Sequence, residues 1–280
     1  MTKTMKKKEL AQLLFGKHIE LFRCPLCHEG FLPDTSTGIR CQEGHHFDLA
    51  RNGYLNLVTN KQNSDYDREL FQARREIFEA GVYDPLVTKL STLISDLDFG
   101  DLTILDAGCG EGSLLFRLEK VLTQATCVGI DISKEGIRLA GAHSALIMWC
   151  VADLARLPLQ DNSVDVIVNM LSPANYEEFR RILQPQGHLI KVVPGPYYLQ
   201  ELRERLDDVG DYSNEAVMAN LEENLEITSR KRLHYQVSLP IELWSQVVKM
   251  TPLTEHRVIS GNPAQQLTID LEIVCGVLAK

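Results

Sequence analysis

The stretch Thr103-Ile104-Leu105-Asp106-Ala107-Gly108-Cys109-Gly110-Glu111-Gly112 decides how the chain folds. A short apolar run ends in an acid, three glycines follow at alternate positions, and helix-forming residues continue through Leu118. Strand, glycine-rich turn and helix in that order open a dinucleotide-type unit. The next apolar run, 126–130, ends in Asp131, nineteen residues after Gly112. Such a unit places a ribose-binding carboxylate there. Working outward, Ser133 is placed to cap a helix over 133–142, residues 146–150 read as a third strand with Asp153 behind it, and 164–170 as a fourth. A helix over 176–183 and a fifth strand over 188–193 complete the pattern. The alternation predicts an α/β fold with a doubly wound parallel sheet.

Upstream, apolar positions at helical intervals (Leu70, Ile77, Phe78, Val87, Leu90, Leu93, Ile94) are split by Gly81 and Pro85 into two helices. The spacing Asp106-x-Gly108-x-Gly110-x-Gly112 differs from the G-x-G-x-x-G of a pyrophosphate-binding turn. An acid ahead of the glycines repels a pyrophosphate and suits a cationic ligand. S-adenosylmethionine, with an ammonium, a sulfonium and no phosphate, fits better than NAD.

The front of the chain carries a different signal. Cys24-x2-Cys27, thirteen residues, then Cys41-x3-His45 is metal-ligand spacing, and a Cys-x-x-Cys turn aims two thiolates at one tetrahedral centre. His45 fits the interval best, with His46 and His28 as neighbours. Four protein ligands make a closed, structural zinc site, and residues 33–38 read as the loop of a hairpin between the two knuckles. The chemistry is expected to divide at 1–61 (basic arm and zinc module), 62–98 (helical linker) and 99–280 (catalytic domain).

A formal net charge of −9 argues against a polyanionic partner until its distribution is read. Residues 1–61 carry nine Lys and Arg against six Asp and Glu, leaving 20 against 32 for the rest. The front is the basic part, with Lys3, Lys6, Lys7, Lys8 and Lys17 forming an arm that either meets a polyanion or frays as a solvated terminus. Phe47 and Tyr54, near Arg40 and Arg51, either stack on bases or simply pack. No apolar stretch approaches the roughly 20 residues of a membrane span, and the first residues lack an apolar signal core, so a cytoplasmic protein is expected.

These motifs resemble class I methyltransferases and, more narrowly, the 23S ribosomal RNA guanine-N1 methyltransferases that act on hairpin 35. The resemblance runs from Phe22 through CPLC…CQEGHHFDLARNGYLNL, QARREIFEAGVYDPL, LDAGCGEG, SPANYEEFRRILQPQGHLI, PGPYYLQEL and MTPLTEH. It implies a Rossmann-like catalytic domain behind a zinc module that binds RNA. It implies zinc on Cys24, Cys27, Cys41 and His45, and S-adenosylmethionine surrounded by Tyr83, Asp106, Gly108, Gly110, Glu111, Asp131, Asp153 and Tyr198. The form Ser172-Pro173-Ala174-Asn175 resembles the Gram-positive branch, whose target is guanine 748 rather than 745 and whose members confer resistance to some macrolides.

Methyl transfer to guanine N1 is an in-line displacement that also requires removal of the N1 proton. The loop after the fourth strand lies at the carboxyl edge of the sheet, where open α/β folds bind ligands. Asn175 is a candidate for the guanine edge and Glu177, or Glu178, for the base; helix capping explains the same run equally well. The run Arg230-Lys231-Arg232 and the alternation over 234–239 either contact RNA or form late strands beside an exposed helix. Competing readings are a methyltransferase acting on a small molecule or protein, and a non-catalytic zinc-dependent RNA-binding protein. A homodimer stays open.

Overall fold

Strict alternation of side chains along buried strands builds this molecule around one eight-stranded sheet with a hydrophobic layer on each face. The computed structural model describes residues 5–32, 38–59, 68–207, 213–255 and 257–279. From the front come helix α1 (Lys7–Lys17), strands β1 (Phe31–Leu32), β2 (Gly38–Cys41), β3 (His46–Asp48) and β4 (Tyr54–Asn56), then helices α2 (Arg68–Glu79) and α3 (Asp84–Ser95). The central run is β5 (Thr103–Ala107), α4 (Ser113–Val121), β6 (Thr126–Asp131), α5 (Lys134–His143), β7 (Ile147–Val151), β8 (Val164–Met170), α6 (Tyr176–Ile182) and β9 (Leu183–Pro194). The last third adds α7 (Gln200–Arg203), α8 (Glu215–Asn224), β10 (Leu225–Ser238), α9 (Trp244–Lys249), a 3-10 turn at Pro252–Thr254 and β11 (Gln266–Leu278).

The sheet order is β10-β11-β9-β8-β5-β6-β7-β4. Strands β4, β7, β6, β5, β8 and β9 run parallel; β11 and β10 are antiparallel to their neighbours. The expected doubly wound parallel sheet is formed by those six strands, and the β10–β11 hairpin extends it antiparallel at one edge. Hydrophobic periodicity does not encode strand direction, and the late alternation over 234–239 is the end of the long hairpin strand β10.

Burial alternates across the faces. Ile104, Ile147, Trp149 and Val151 point into the layer under α2 to α5, while Leu105, Met148 and Cys150 point into the layer under α1, α6 and the zinc segment. Trp149 is fully buried. Room for its ring exists because Gly112 and Gly129 lack side chains; a Cβ there would lie 2.5 and 2.4 Å from the indole. Helix α5 starts where the Ser133 side chain accepts a hydrogen bond from Gly136 N, as its position before the apolar run implies.

The zinc segment is stitched to this sheet. Strand β4, within residues 1–61, is its edge strand beside β7, and Leu57 N donates to Val151 O at 2.8 Å. Phe22 bridges to Leu159, and Gln160 N donates to Leu21 O at 2.9 Å. Of the two readings of the basic arm, the frayed terminus does not hold from residue 7 onward, where the chain is a helix. Ala11 and Phe15 of α1 are buried, and Lys7 Nζ donates to the carbonyls of Gly141 and Ala142 at the end of α5, where a cation meets the negative helix terminus. Lys3, residues 33–37 of the expected hairpin loop and residues 60–67, which include the start of the expected linker, lie outside the described residues. Among the described residues no helix is long and apolar enough to cross a membrane.

Candidate functional site

The sheet reverses its winding between β5 and β8, and a cavity of about 300 Å³ opens at the carboxyl ends of those strands. Tyr83, Asp106, Gly108, Gly110, Glu111, Asp131 and Tyr198 all line it. Gly108, Gly110 and Gly112 have φ of +80°, +56° and +82°, a region costly for other residues. A Cβ on Gly108 would lie 2.1 Å from Ser172 Oγ, so the turn and the loop after β8 approach at a distance only glycine permits.

The two strand-tip acids do different work. Asp131 accepts from Gly110 N and Ser133 N, both at 2.8 Å, and so ties the glycine turn to the start of α5. Asp106 is 2 % exposed, and its Oδ2 has no hydrogen-bond partner. Burial, and then the neighbouring Asp131 and Glu111, push its carboxyl up to about 8. A buried carboxyl at the cavity wall with an unsatisfied oxygen is what a cationic ligand completes. Glu111 accepts from Ser113 Oγ at 2.7 Å and faces His143 Nε2 at 3.3 Å, with Arg75 donating to His143 Nδ1 at 2.9 Å. That donation leaves the proton on Nε2, directed at Glu111.

Tyr83 and Tyr198, also on the wall, share a hydroxyl–hydroxyl bond of 2.7 Å, and burial pushes the Tyr83 phenol well up, so that this hydroxyl keeps its proton. Arg74 of α2 donates to Met250 O at 2.8 Å, which holds the turn 250–253 over the cavity. The loop after β8 sits on a buried polar support. Lys191 Nζ donates to Asn169 Oδ1 and Ser172 O, while Asn169 donates to Ala107 O at 2.6 Å. Leu171, at φ +50°, begins that loop in a conformation the support must hold.

Three expected site residues fall elsewhere. Asn175, Glu177 and Asp153 are not on the cavity wall. Asn175 is the N-cap of α6, its Oδ1 accepting from Glu178 N at 3.0 Å, so that oxygen is engaged by the helix. Glu177 is exposed on that first turn. Glu178 accepts from Leu157 N at 2.7 Å and pairs with Arg181 at 2.8 Å; burial is outweighed and its carboxyl is held low, unsuited to take a proton. Asp153 Oδ1 accepts from Ala155 N at 2.9 Å in the turn behind β7. Conversely, Phe71, Arg74 and the turn 250–253 line the cavity without having been singled out for it. The available signals were MTPLTEH and the segment QARREIFEAGVYDPL, which contains Arg74, but no local pattern revealed their role at the cavity; His256 lies outside the described residues.

At the front, ligand atoms of Cys24, Cys27, Cys41 and His45 all lie within 4.8 Å of one another. Cys27 and Cys41 sulfurs are 3.7 Å apart, and His45 Nδ1 is 3.4 and 3.6 Å from the sulfurs of Cys41 and Cys24. Zinc–sulfur bonds of about 2.3 Å in a tetrahedron separate donors by roughly 3.5 to 3.8 Å, so the set fits zinc with no open position. His46 and His28 are outside the group.

A family described as "Methyltransferase domain" matches residues 98–247, and one described as "RlmA, N-terminal", a zinc ribbon, matches residues 22–64. The Bacillus subtilis protein YxjB, provisionally named a 23S rRNA (guanine-N(1)-)-methyltransferase, is 40% identical over 273 residues, 92% of this chain and 97% of that relative. The 23S rRNA (guanine(748)-N(1))-methyltransferase of Streptomyces fradiae is 30% identical over 245 residues, 85% of this chain and 87% of the relative. The four-ligand cluster is thus a structural zinc ribbon ahead of an S-adenosylmethionine-dependent methyltransferase domain, and the chain belongs to the 23S rRNA (guanine-N1) methyltransferase family.

Proposed function

We propose that the protein methylates N1 of guanine 748 in hairpin 35 of 23S rRNA, working in the cytoplasm and lowering sensitivity to some macrolides. The observation that carries the chemistry is Asp106, buried at the cavity wall with an unpartnered oxygen beside the glycine turn. The relative from Streptomyces fradiae, matched over 87% of its length, supports the choice of nucleotide. Residues 1–61 take the RNA-binding role, 62–98 link, and 99–280 catalyse.

When bound, S-adenosylmethionine supplies an activated methyl group on a sulfonium. Asp106 receives the ammonium of its amino-acid end. Asp131, already fixed by Gly110 and Ser133, keeps lone pairs for the ribose hydroxyls. The Tyr83–Tyr198 pair and the turn held by Arg74 close the cavity against water. The loop from Leu171 to Pro173, held by Lys191 and Asn169, forms the mouth at which the base is presented. Alignment supplies much of the rate in such a displacement, and the N1 proton leaves to water at the mouth as the new bond forms. The target guanine reaches the site only when unpaired or turned out of its stack.

Purified zinc-loaded protein, S-adenosylmethionine with a tritiated methyl group and a hairpin 35 transcript test this directly. The expected result is label in N1-methylguanine at position 748, lost when that guanine is replaced. Label at another base, or none, overturns the assignment. Sedimentation velocity on the same sample reads whether the protein pairs with a second copy.

A further inference from the structure

Strand β10 carries a cluster that the methyl-transfer site does not use. Tyr197, in the turn after β9, is 51% exposed. The Arg232 guanidinium lies over its ring, 5.6 Å from the centroid, and the His234 ring meets its edge at 6.0 Å and 80°. All three are organised by one fully buried carboxylate, Asp270 of β11. Asp270 accepts two hydrogen bonds from Arg232 at 2.8 and 2.9 Å, lies 3.4 Å from His234 Nδ1, and accepts from Tyr197 N at 2.9 Å. Gly195 gives it space, since a Cβ there would lie 2.5 Å from its Oδ2. An exposed aromatic ring is thereby fixed by its own backbone and by two neighbours before any partner arrives.

Its position follows from the register. Lys231, Ile273, Val192 and Met170 stand on one rung across β10, β11, β9 and β8, and Met170 lines the cofactor cavity. Arg232 and His234 continue past that rung toward the carboxyl edge, where the cavity opens. Three strand spacings separate β8 from β10, roughly 14 Å. The next residue after Tyr197 is Tyr198, itself on the cavity wall. Asp270 and Glu272 share parity along β11 with Val274, which belongs to the hydrophobic layer that also contains Cys24, Phe31 and Ile39 of the zinc ribbon. The cluster and the ribbon therefore lie on one face of the sheet, with the mouth at Leu171–Pro173 between their ends.

We infer that Tyr197, braced by Arg232 and His234, is a stacking platform for an unpaired base of the RNA substrate flanking the target guanine. The inference rests on the proposed RNA substrate and adds a second contact point on the far side of the mouth from the ribbon. Unpaired bases are held by exposed aromatic rings and guanidinium planes, and stacking does not depend on base identity. Arg230 and Arg232 pair with Glu272 and Asp270, so the surface does not offer a strong positive field; it offers a rigid ring. The occupant is a base rather than a phosphate.

The test measures affinity of the full-length zinc-loaded protein for a hairpin 35 transcript, with S-adenosylhomocysteine present, in wild type, Tyr197→Ala and Tyr197→Phe. Loss of one stacked base weakens binding by about tenfold in Tyr197→Ala, and retention of the ring keeps Tyr197→Phe within about twofold. S-adenosylhomocysteine affinity, measured by calorimetry, stays at the wild-type value in both and reports an intact fold. The KM for RNA rises in Tyr197→Ala more than kcat falls. Wild type that methylates the hairpin while Tyr197→Ala binds it equally well overturns the platform alone. Wild type that neither binds nor methylates the hairpin overturns the functional reading and the platform with it.

Discussion

Asp106 links protonation to cofactor binding. In the ligand-free protein its carboxyl titrates at about 8, raised by burial and then by Asp131 and Glu111, so it is mostly neutral at pH 7. A cation requires the carboxylate, and binding therefore expels a proton. Affinity for S-adenosylmethionine should rise by up to about tenfold per unit between pH 6 and 7.5. The rise flattens near 8, where the ligand's own amine begins to lose its proton. Calorimetry in buffers of different ionisation enthalpy reads the released proton, and Asp106→Asn should bind weakly with no such slope; an unchanged slope in that variant excludes Asp106 as the titrating group. The sign for stability follows the same linkage. Because the folded value lies above the ordinary 3.8, this group's contribution is full below about 4 and is lost as pH rises through 8. Asn175 belongs at this scale as well. As the cap of α6 it should cost about 1 kcal/mol of stability in Asn175→Ala, measured by urea denaturation, with the methylation rate retained. A rate loss without a stability loss would return it to the reaction.

At the scale of elements, two supports carry the site. The loop after β8 rests on Lys191 and Asn169, polar groups inside otherwise apolar strands. Burial pulls the Lys191 amine down to about 8, yet its two acceptors keep it in place. Lys191→Met leaves those oxygens unsatisfied and should lower stability by about 2 kcal/mol, with a larger fall in kcat than in S-adenosylmethionine affinity, read by denaturation and steady-state kinetics. The zinc ribbon is the other support. Removing the metal by a chelator, or Cys27→Ser, should open backbone amides of β1 to β3 to hydrogen exchange and abolish RNA binding. Amides of β5 to β8 should stay protected, because one of the sheet's two hydrophobic layers is built without any residue of β1 to β3. Loss of protection throughout would mean that ribbon and sheet fold as one unit.

For the whole molecule, legibility in the sequence followed locality. Strands β5 to β9 and the cysteine cluster were readable because each announces itself within a few residues, through an apolar run or a ligand spacing. The side of the cavity formed by Asp106, the glycines and Asp131 was readable for the same reason. Strand β4 was not assigned to the sheet, since its partner β7 lies about a hundred residues onward and only folding brings them together. Helix α1 was hidden because only Ala11 and Phe15 of it are buried, and the lysines at its two ends, Lys7, Lys8 and Lys17, drew the reading toward a solvated arm. The far wall, from Phe71 and Arg74 to the turn 250–253, assembles across 176 positions between Arg74 and Met250. Asn169 and Lys191 did carry a local signal: a polar residue in each of two buried strands has to find a partner, and these found each other.

N1 methylation blocks the Watson–Crick edge of guanine and halts reverse transcriptase, so primer extension on 23S rRNA from cells with and without this gene reads the modification at its own position. A stop next to guanine 748 is expected when the gene is present and none when it is deleted, with restoration by the wild-type protein but not by Asp106→Asn. Identical extension profiles in the two strains would contradict the assignment.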